Sequence, residues 1–238
     1  MKAVILAGGL GSRLKPFTQV IPKPLLPIGE SSVLEIQISI LKKYGFDQIY
    51  LAINYMSNYI RAFLGDGSKY DVQINYSEET KPLGTCGPVL LLKDHLTEPF
   101  ILMNGDILTT LDFKAACDFA LNLDVNLTAL TKKVITPFHF GKIISEGDFI
   151  SSFEEKPNIY FEILAGIYIL KPAVFDIIPP DTYYGIDSLL KDMLSQKMKV
   201  AKYLITEYWL DIGQPSDYQQ AQDAYGLYFK NVVKEDKA

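Results

Sequence analysis

The chain has 238 residues, 48% of them hydrophobic, and a net charge of −5, which is enough material for one buried α/β core. No apolar run reaches the roughly 20 residues of a membrane span, and no basic run is long enough to follow a nucleic-acid backbone. The strand-like opening does not read as an export leader, so a cytoplasmic protein without membrane or nucleic-acid partners is expected.

Taken in chain order, short apolar runs alternate with amphipathic stretches. Residues 2–6 read as a buried strand. Residues 31–44 read as a helix, with Ser31 or Ser32 as N-cap, Glu35 in the first turn, Leu34, Ile38 and Leu41 at helical spacing, and Gly45 just past the end. Strands are expected at 48–53, 72–76 and 100–103, and helices at 57–64 and 88–95. Further strands are expected near 127–131, 141–145, 150–153, 165–170, 200–204 and 208–212, and helices at 187–196 and 216–225. This alternation predicts an α/β fold with a parallel or mixed sheet covered on both faces. No repeat or linker interrupts it, so one domain is expected over 1–225. Residues 226–238 are left as a helix end and charged tail, frayed from 230 onward.

Only two histidines, His95 and His139, and two distant cysteines, Cys86 and Cys117, are present. The cysteines read as small buried hydrophobes, and any metal is expected to be a hard cation on carboxylates. An anionic ligand must then be met by a few placed cations. The first candidate is the turn after the opening strand, Leu6-Ala7-Gly8-Gly9-Leu10-Gly11-Ser12-Arg13-Leu14. Gly8, Gly9 and Gly11 are expected to take positive φ and bring N–H groups onto phosphate oxygens, and Arg13 adds a forked cation. The Gly-Lys-Ser/Thr ending of a P-loop is absent, and Leu14 stands where a dinucleotide fingerprint wants glycine. The second candidate is Pro22-Lys23-Pro24-Leu25-Leu26-Pro27, whose prolines fix where the Lys23 ammonium points. Arg13 and Lys23 together suit a triphosphate and departing pyrophosphate.

These two runs resemble the signature of the sugar-phosphate nucleotidylyltransferase family, and the resemblance extends from Met1 to about Tyr225. It implies a Rossmann-like, mixed, mostly parallel sheet flanked by helices. It also implies transfer of a nucleoside monophosphate from an NTP to a sugar-1-phosphate, with release of pyrophosphate. Arg13, Lys23 and Asp106 are then the catalytic residues. Nucleotide binding falls to Leu6, Ala7, Gly8, Gly9, Gly11 and Ser12, with Pro82, Gly84, Thr85 and Gly87 from the loop Pro82-Leu83-Gly84-Thr85-Cys86-Gly87. Glu78 or Glu79 lines the same pocket or is solvated surface charge. Asp106, in Asn104-Gly105-Asp106, and Asp211, in Trp209-Leu210-Asp211-Ile212-Gly213, share a Mg²⁺ ion. Gly141, Glu155 and Lys156, the latter two in Glu154-Glu155-Lys156-Pro157, and Gly166 hold the sugar-1-phosphate.

The base loop looks more like that of guanylyltransferases acting on mannose-, heptose- or glucosamine-type phosphates than that of thymidylyltransferases, and both stay open. Leu164-Ala165-Gly166 departs from the family's Asn-Ala-Gly, which removes a polar contact to the sugar. A metal-dependent glycosyltransferase would share the fold and Asp106 but leave Asp211 and the Arg13/Lys23 pair unexplained. A non-catalytic nucleotide-sugar-binding protein is the other rival. The expected partners are the NTP and the sugar-1-phosphate, with a homodimer left open.

Overall fold

The computed structural model describes residues 1–235; the last three residues of the expected tail lie outside it. The chain opens with β1 (Lys2–Leu6), β2 (Pro27–Ile28), β3 (Ser31–Ser32), α1 (Val33–Lys43), β4 (Gln48–Ile53), α2 (Ser57–Leu64) and β5 (Gln73–Glu78). It continues through α3 (Gly87–Leu90), β6 (Phe100–Asn104), β7 (Ile107–Thr109), α4 (Phe113–Leu121), β8 (Leu127–Pro137), β9 (Lys142–Glu146) and β10 (Phe149–Glu154). It ends with β11 (Asn158–Leu170), α5 (Ile186–Ser195), β12 (Ala201–Ile205), β13 (Trp209–Asp211), α6 (Pro215–Tyr228) and α7 (Lys230–Glu235).

Seven strands form one sheet in the order β12-β8-β11-β6-β1-β4-β5. The pairs β1/β4, β1/β6, β4/β5 and β8/β12 are parallel, whereas β11 runs antiparallel to both β6 and β8. The sheet is therefore mixed and mostly parallel, with helices on both faces. Alternation along the central strands divides the core. Ala3, Ile5, Ile101 and Met103 point to the face covered by α1, while Val4, Phe100 and Leu102 point to the face covered by α3 and α5.

α1 is buried from Val33 to Leu41. Its N-terminus is closed by a capping box in which Glu35 N–H donates to Ser32 Oγ and Ser32 N–H donates to the Glu35 carboxylate. The expected fraying from residue 230 does not occur in the described part. α7 packs on α1, with Phe229 and Val233 buried.

Among the described residues, no helix is long and apolar enough to cross a membrane. Three pairs of short strands stand apart from the main sheet: β2 with β3, the hairpin β9/β10, and β7 with β13, which align Ile107 opposite Asp211.

Candidate active site

β1, β4, β5 and β6 are parallel and release the chain at the same edge of the sheet. β1 reaches β4 on one side and β6 on the other, so the order reverses beside it, and open α/β sheets form a crevice at such a point. A cavity of about 560 Å³ lies there. Leu6, Gly8 and Gly9 come to it from β1, Ala52, Asn54 and Tyr55 from β4, Glu79 from β5, and Asn104 and Asp106 from β6. Pro82, Gly84, Thr85 and Tyr183 complete the wall.

The glycine turn is tighter than expected. Of the three glycines, only Gly11 has positive φ (59°), so that expectation is corrected for Gly8 and Gly9. A Cβ on Gly11 would lie 2.8 Å from Thr18 Cγ2, and Thr18 Oγ1 donates to the Gly11 carbonyl at 2.8 Å. Gly8 lines the cavity, and a Cβ there would crowd Asn54 at 3.1 Å. Ala7 is buried and gives its N–H to Ala52 O (2.8 Å), so that amide serves the fold. Gly11 and Ser12 do not line the cavity. Gly87 is likewise turned inward. Its N–H donates to Tyr184 O at 3.2 Å and a Cβ would meet Leu83 Cβ at 2.6 Å, so it does not offer the base-reading amide expected of it. Gly84 (φ 81°) does face the cavity, and the Thr85 hydroxyl accepts from Ile186 N–H at 2.7 Å, tying the loop to α5.

Lys23, fixed between prolines, reaches across to Asp106 and pairs with its Oδ2; the two side chains are 12% and 23% exposed. Asp106 sits on a turn held on every side. Gly105 N–H donates to Leu6 O (2.9 Å), and Ile212 N–H donates to Asp106 O (3.0 Å). Gln37 on α1 donates both Nε2 hydrogens to the turn, to Asn104 O (2.9 Å) and Ile107 O (2.8 Å). The β7/β13 pairing brings Asp211 beside this turn. Burial first, then the charge of Asp106, raises the Asp211 carboxyl above the ordinary carboxylate range against the pull of Lys23 and Arg13. Arg13 is exposed and lies beside Gly213, where a Cβ would be 3.4 Å from its Nη1.

Asp106 Oδ1 and Asp211 Oδ1 are both buried without a hydrogen-bond partner. Buried carboxylate oxygens left bare are costly, and a cation between them would relieve both. Among the described residues no set of three or more His, Cys, Asp or Glu surrounds a metal position. Two carboxylates that leave the remaining coordination to water and phosphate suit Mg²⁺, so the residues present fit the ion.

Of the sugar-side residues, Gly166 adjoins this cluster and the other three lie apart from it. Gly166 (φ 69°) abuts Asn104, with a Cβ position 2.8 Å from Asn104 Nδ2. Gly141, Glu155 and Lys156 lie on or beside the β9/β10 hairpin, exposed and outside the cavity wall; Lys156 is 3.9 Å from Glu155. Lys156 nevertheless holds φ at 46°, a left-handed conformation uncommon for a long side chain. Leu164 is 43% exposed. Glu79, not Glu78, belongs to the cavity. Its carboxylate accepts from Asn54 Nδ2 (3.0 Å) and Leu83 N–H (2.8 Å), whereas Glu78 is tied to Ser57 and Arg61. Asn54, Tyr55 and Tyr183 line the cavity and Gln37 holds the turn, although none of them lies in a motif of the sequence. The first signals its place by ending a strand, and Gln37 by being polar on a helix with no solvent face.

Residues 2–226 match the nucleotidyl transferase family. The chain belongs to that family. It is 35% identical over 227 residues to mannose-1-phosphate guanylyltransferase 1 of Arabidopsis thaliana, covering 92% of this chain and 63% of that protein. It is 35% identical over 243 residues to mannose-1-phosphate guanyltransferase of Saccharomyces cerevisiae, covering 98% and 66%. The nucleotidyl transferase chain thus spans just under two thirds of the length of these curated relatives. Among solved structures, HddC from Yersinia pseudotuberculosis superposes with a TM-score of 0.75 at 28% identity, covering 94% of this chain and 99% of that one. A second HddC structure, complexed with GMP-PN, gives 0.74 at 28% identity.

Proposed function

We propose that the protein transfers a nucleoside monophosphate, in our reading guanylate from GTP, to a sugar-1-phosphate, giving a nucleotide sugar and pyrophosphate. The observation that carries this reading is the Lys23–Asp106 pair beside Asp211, with a bare oxygen on each carboxylate, at the end of a cavity floored by a glycine turn. The sugar-phosphate oxygen attacks the α-phosphorus in line, a new P–O bond forms, and the α–β bridge oxygen leaves with pyrophosphate. That nucleophile is already ionised at neutral pH, so no general base is needed, which agrees with a site free of histidine. Asp106 and Asp211 are the residues that would hold Mg²⁺, which supplies charge neutralisation on the phosphates when bound. Lys23 and Arg13 serve the leaving pyrophosphate, and the rest of the rate comes from alignment. Gly8 and Gly9 let the phosphates approach the backbone. Glu155 and Lys156, with Gly141 and Gly166, are assigned to the sugar-1-phosphate.

Guanine is favoured by Glu79. Its carboxylate is clamped by Asn54 and Leu83 yet keeps a free lone pair on each oxygen, and guanine presents adjacent N1–H and 2-amino donors that such an acceptor pair can take. Thymine and uracil offer one donor flanked by carbonyls. The similarity to mannose-1-phosphate guanylyltransferases supports mannose-1-phosphate as the sugar, with Leu164 as the departure that bears on it.

The test is pyrophosphate release with GTP, dTTP, UTP, CTP or ATP, each with Mg²⁺ and either mannose- or glucose-1-phosphate. GTP with mannose-1-phosphate is expected to be turned over fastest. Absence of pyrophosphate from every pair would sink the reading, and preference for dTTP would sink the assignment of Glu79. Glu79→Gln is expected to lower the GTP-over-dTTP ratio of kcat/KM by about 10-fold, since one half-buried acceptor left mismatched is worth that much discrimination.

A further inference from the structure

We propose that Gln37, a residue outside the cavity lining, is a positioning residue that sets the metal affinity of Asp106. The inference rests on the reading of Asp106 given above. Three observations point to it.

First, among the described residues Gln37 is the one side chain that hydrogen-bonds the backbone of the 104–107 turn. It uses both hydrogens of one nitrogen to bracket Gly105-Asp106 from either end, at Asn104 O and Ile107 O. The two carbonyls it satisfies flank the carboxylate, so the direction in which the Asp106 side chain leaves the backbone is fixed by them. Second, Gln37 is 2% exposed on a helix buried on every side, between Ile36 and Ile38. Leucine or methionine would fill that space without a polar group. Third, its Oε1 is buried and has no partner. A glutamine kept for stability alone would be satisfied at both ends, since a buried orphan acceptor costs free energy. The opposite amide orientation would set Oε1 against two carbonyls, so the donor pair must face the turn.

The remaining supports of the turn are backbone-to-backbone bonds, Gly105 N–H to Leu6 O and Ile212 N–H to Asp106 O. They survive any substitution at 37. Removing Gln37 therefore loosens the carboxylate without dismantling the turn. Asp106 carries the Lys23 ammonium on Oδ2, and its bare Oδ1 is the oxygen that would be left for the ion. A turn free to rotate lets Lys23 take both oxygens, and the metal then binds more weakly. Outer-sphere hydrogen bonds that orient a ligating side chain are typically worth 10- to 100-fold in metal affinity, which sets the size of the effect expected here.

The experiment compares the full chain with Gln37→Met, which keeps length and loses the donors, and Gln37→Glu, which keeps shape but turns an acceptor toward the carbonyls. Mn²⁺ binding in the presence of GTP is followed by electron paramagnetic resonance, and the Mg²⁺ activation constant by pyrophosphate release. Both variants are expected to weaken Mn²⁺ binding about 10-fold or more and to raise the Mg²⁺ constant in step, with kcat largely restored at saturating Mg²⁺. Ile38→Val, which trims the same helix away from the turn, is expected to lower the melting temperature and leave the metal constants alone. Gln37 variants that melt lower but keep wild-type metal constants would overturn the proposal and leave Gln37 a packing residue. Should both variants fail to fold, the wild-type protein still decides. The Gln37 side-chain amide protons, followed by ¹⁵N NMR, are expected to shift when Mg²⁺ joins the GTP complex, and unchanged resonances would overturn it. A wild-type protein that binds Mn²⁺·GTP but releases no pyrophosphate would instead refute the proposed reaction and leave the role of Gln37 standing.

Discussion

Lys23 holds Asp106 by one oxygen and leaves the other bare, and Asp211 is pushed toward protonation beside it. This arrangement stores one unmet demand for positive charge, on a turn too constrained to relax. Lys23→Ala is expected to lower kcat about 10²–10³-fold with the protein still folded, the usual loss when one placed charge is removed from a transition state. A kcat within about threefold of wild type would remove Lys23 from its role. Asp106→Ala is expected to abolish turnover and Mn²⁺ binding together; loss of one without the other would separate the metal role from the pairing with Lys23. At this scale the sequence was readable wherever a motif is contiguous. Lys23, Asp106 and Asp211 could be named because short strings carry them. Gln37 and Tyr183 belong to no string, and only folding brings them to the turn and the cavity. Gly87 misled because a glycine that admits a ligand and one that admits Leu83 look alike in one dimension.

Among the elements, α1 links stability to the site, because it carries Gln37 and is closed by the Ser32–Glu35 box. Ser32→Ala is expected to cost about 1–2 kcal/mol. That corresponds to a fall in melting temperature of roughly 2–8 °C, with kcat unchanged at 25 °C. A variant as stable as wild type would show that the cap is dispensable to a helix otherwise held by burial. β1, β4 and β6 were legible because burial on both faces demands continuous apolar runs. β8 and β11 were expected to be much shorter, near 127–131 and 165–170. They extend to Pro137 and from Asn158 because their outer halves pair with each other beyond the core, where exposed residues carry no buried-strand pattern. The helix expected at 88–95 contracts to Gly87–Leu90, since the chain then passes into turns with Leu91 exposed. α4 carries its start signal in Asp112, whose carboxylate accepts from Ala115 N–H, but its short run lacks a strong apolar period in the sequence.

For the molecule as a whole, the mostly parallel sheet follows from the alternation of strands and helices, but the antiparallel insertion of β11 between β6 and β8 does not. It depends on which edges are left to pair, which is a tertiary choice. Both cysteines lie in the packed interior, and burial pushes each thiol up to about 12. The native protein is therefore expected to resist iodoacetamide at pH 7.5 and to alkylate at both positions only after denaturation. Rapid labelling of the native state would contradict the packing around Cys86 or Cys117. β7 and β13 are joined across a long separation, with Thr109 donating to Tyr208 O over 99 residues. During synthesis the glycine turn, Lys23 and Asp106 leave the ribosome well ahead of Asp211, and the β7/β13 pairing has to close a long loop before it can form. The Asp106 turn therefore gains its second carboxylate only when the C-terminal segment docks on β7, which makes completion of the chain a precondition of the two-carboxylate site.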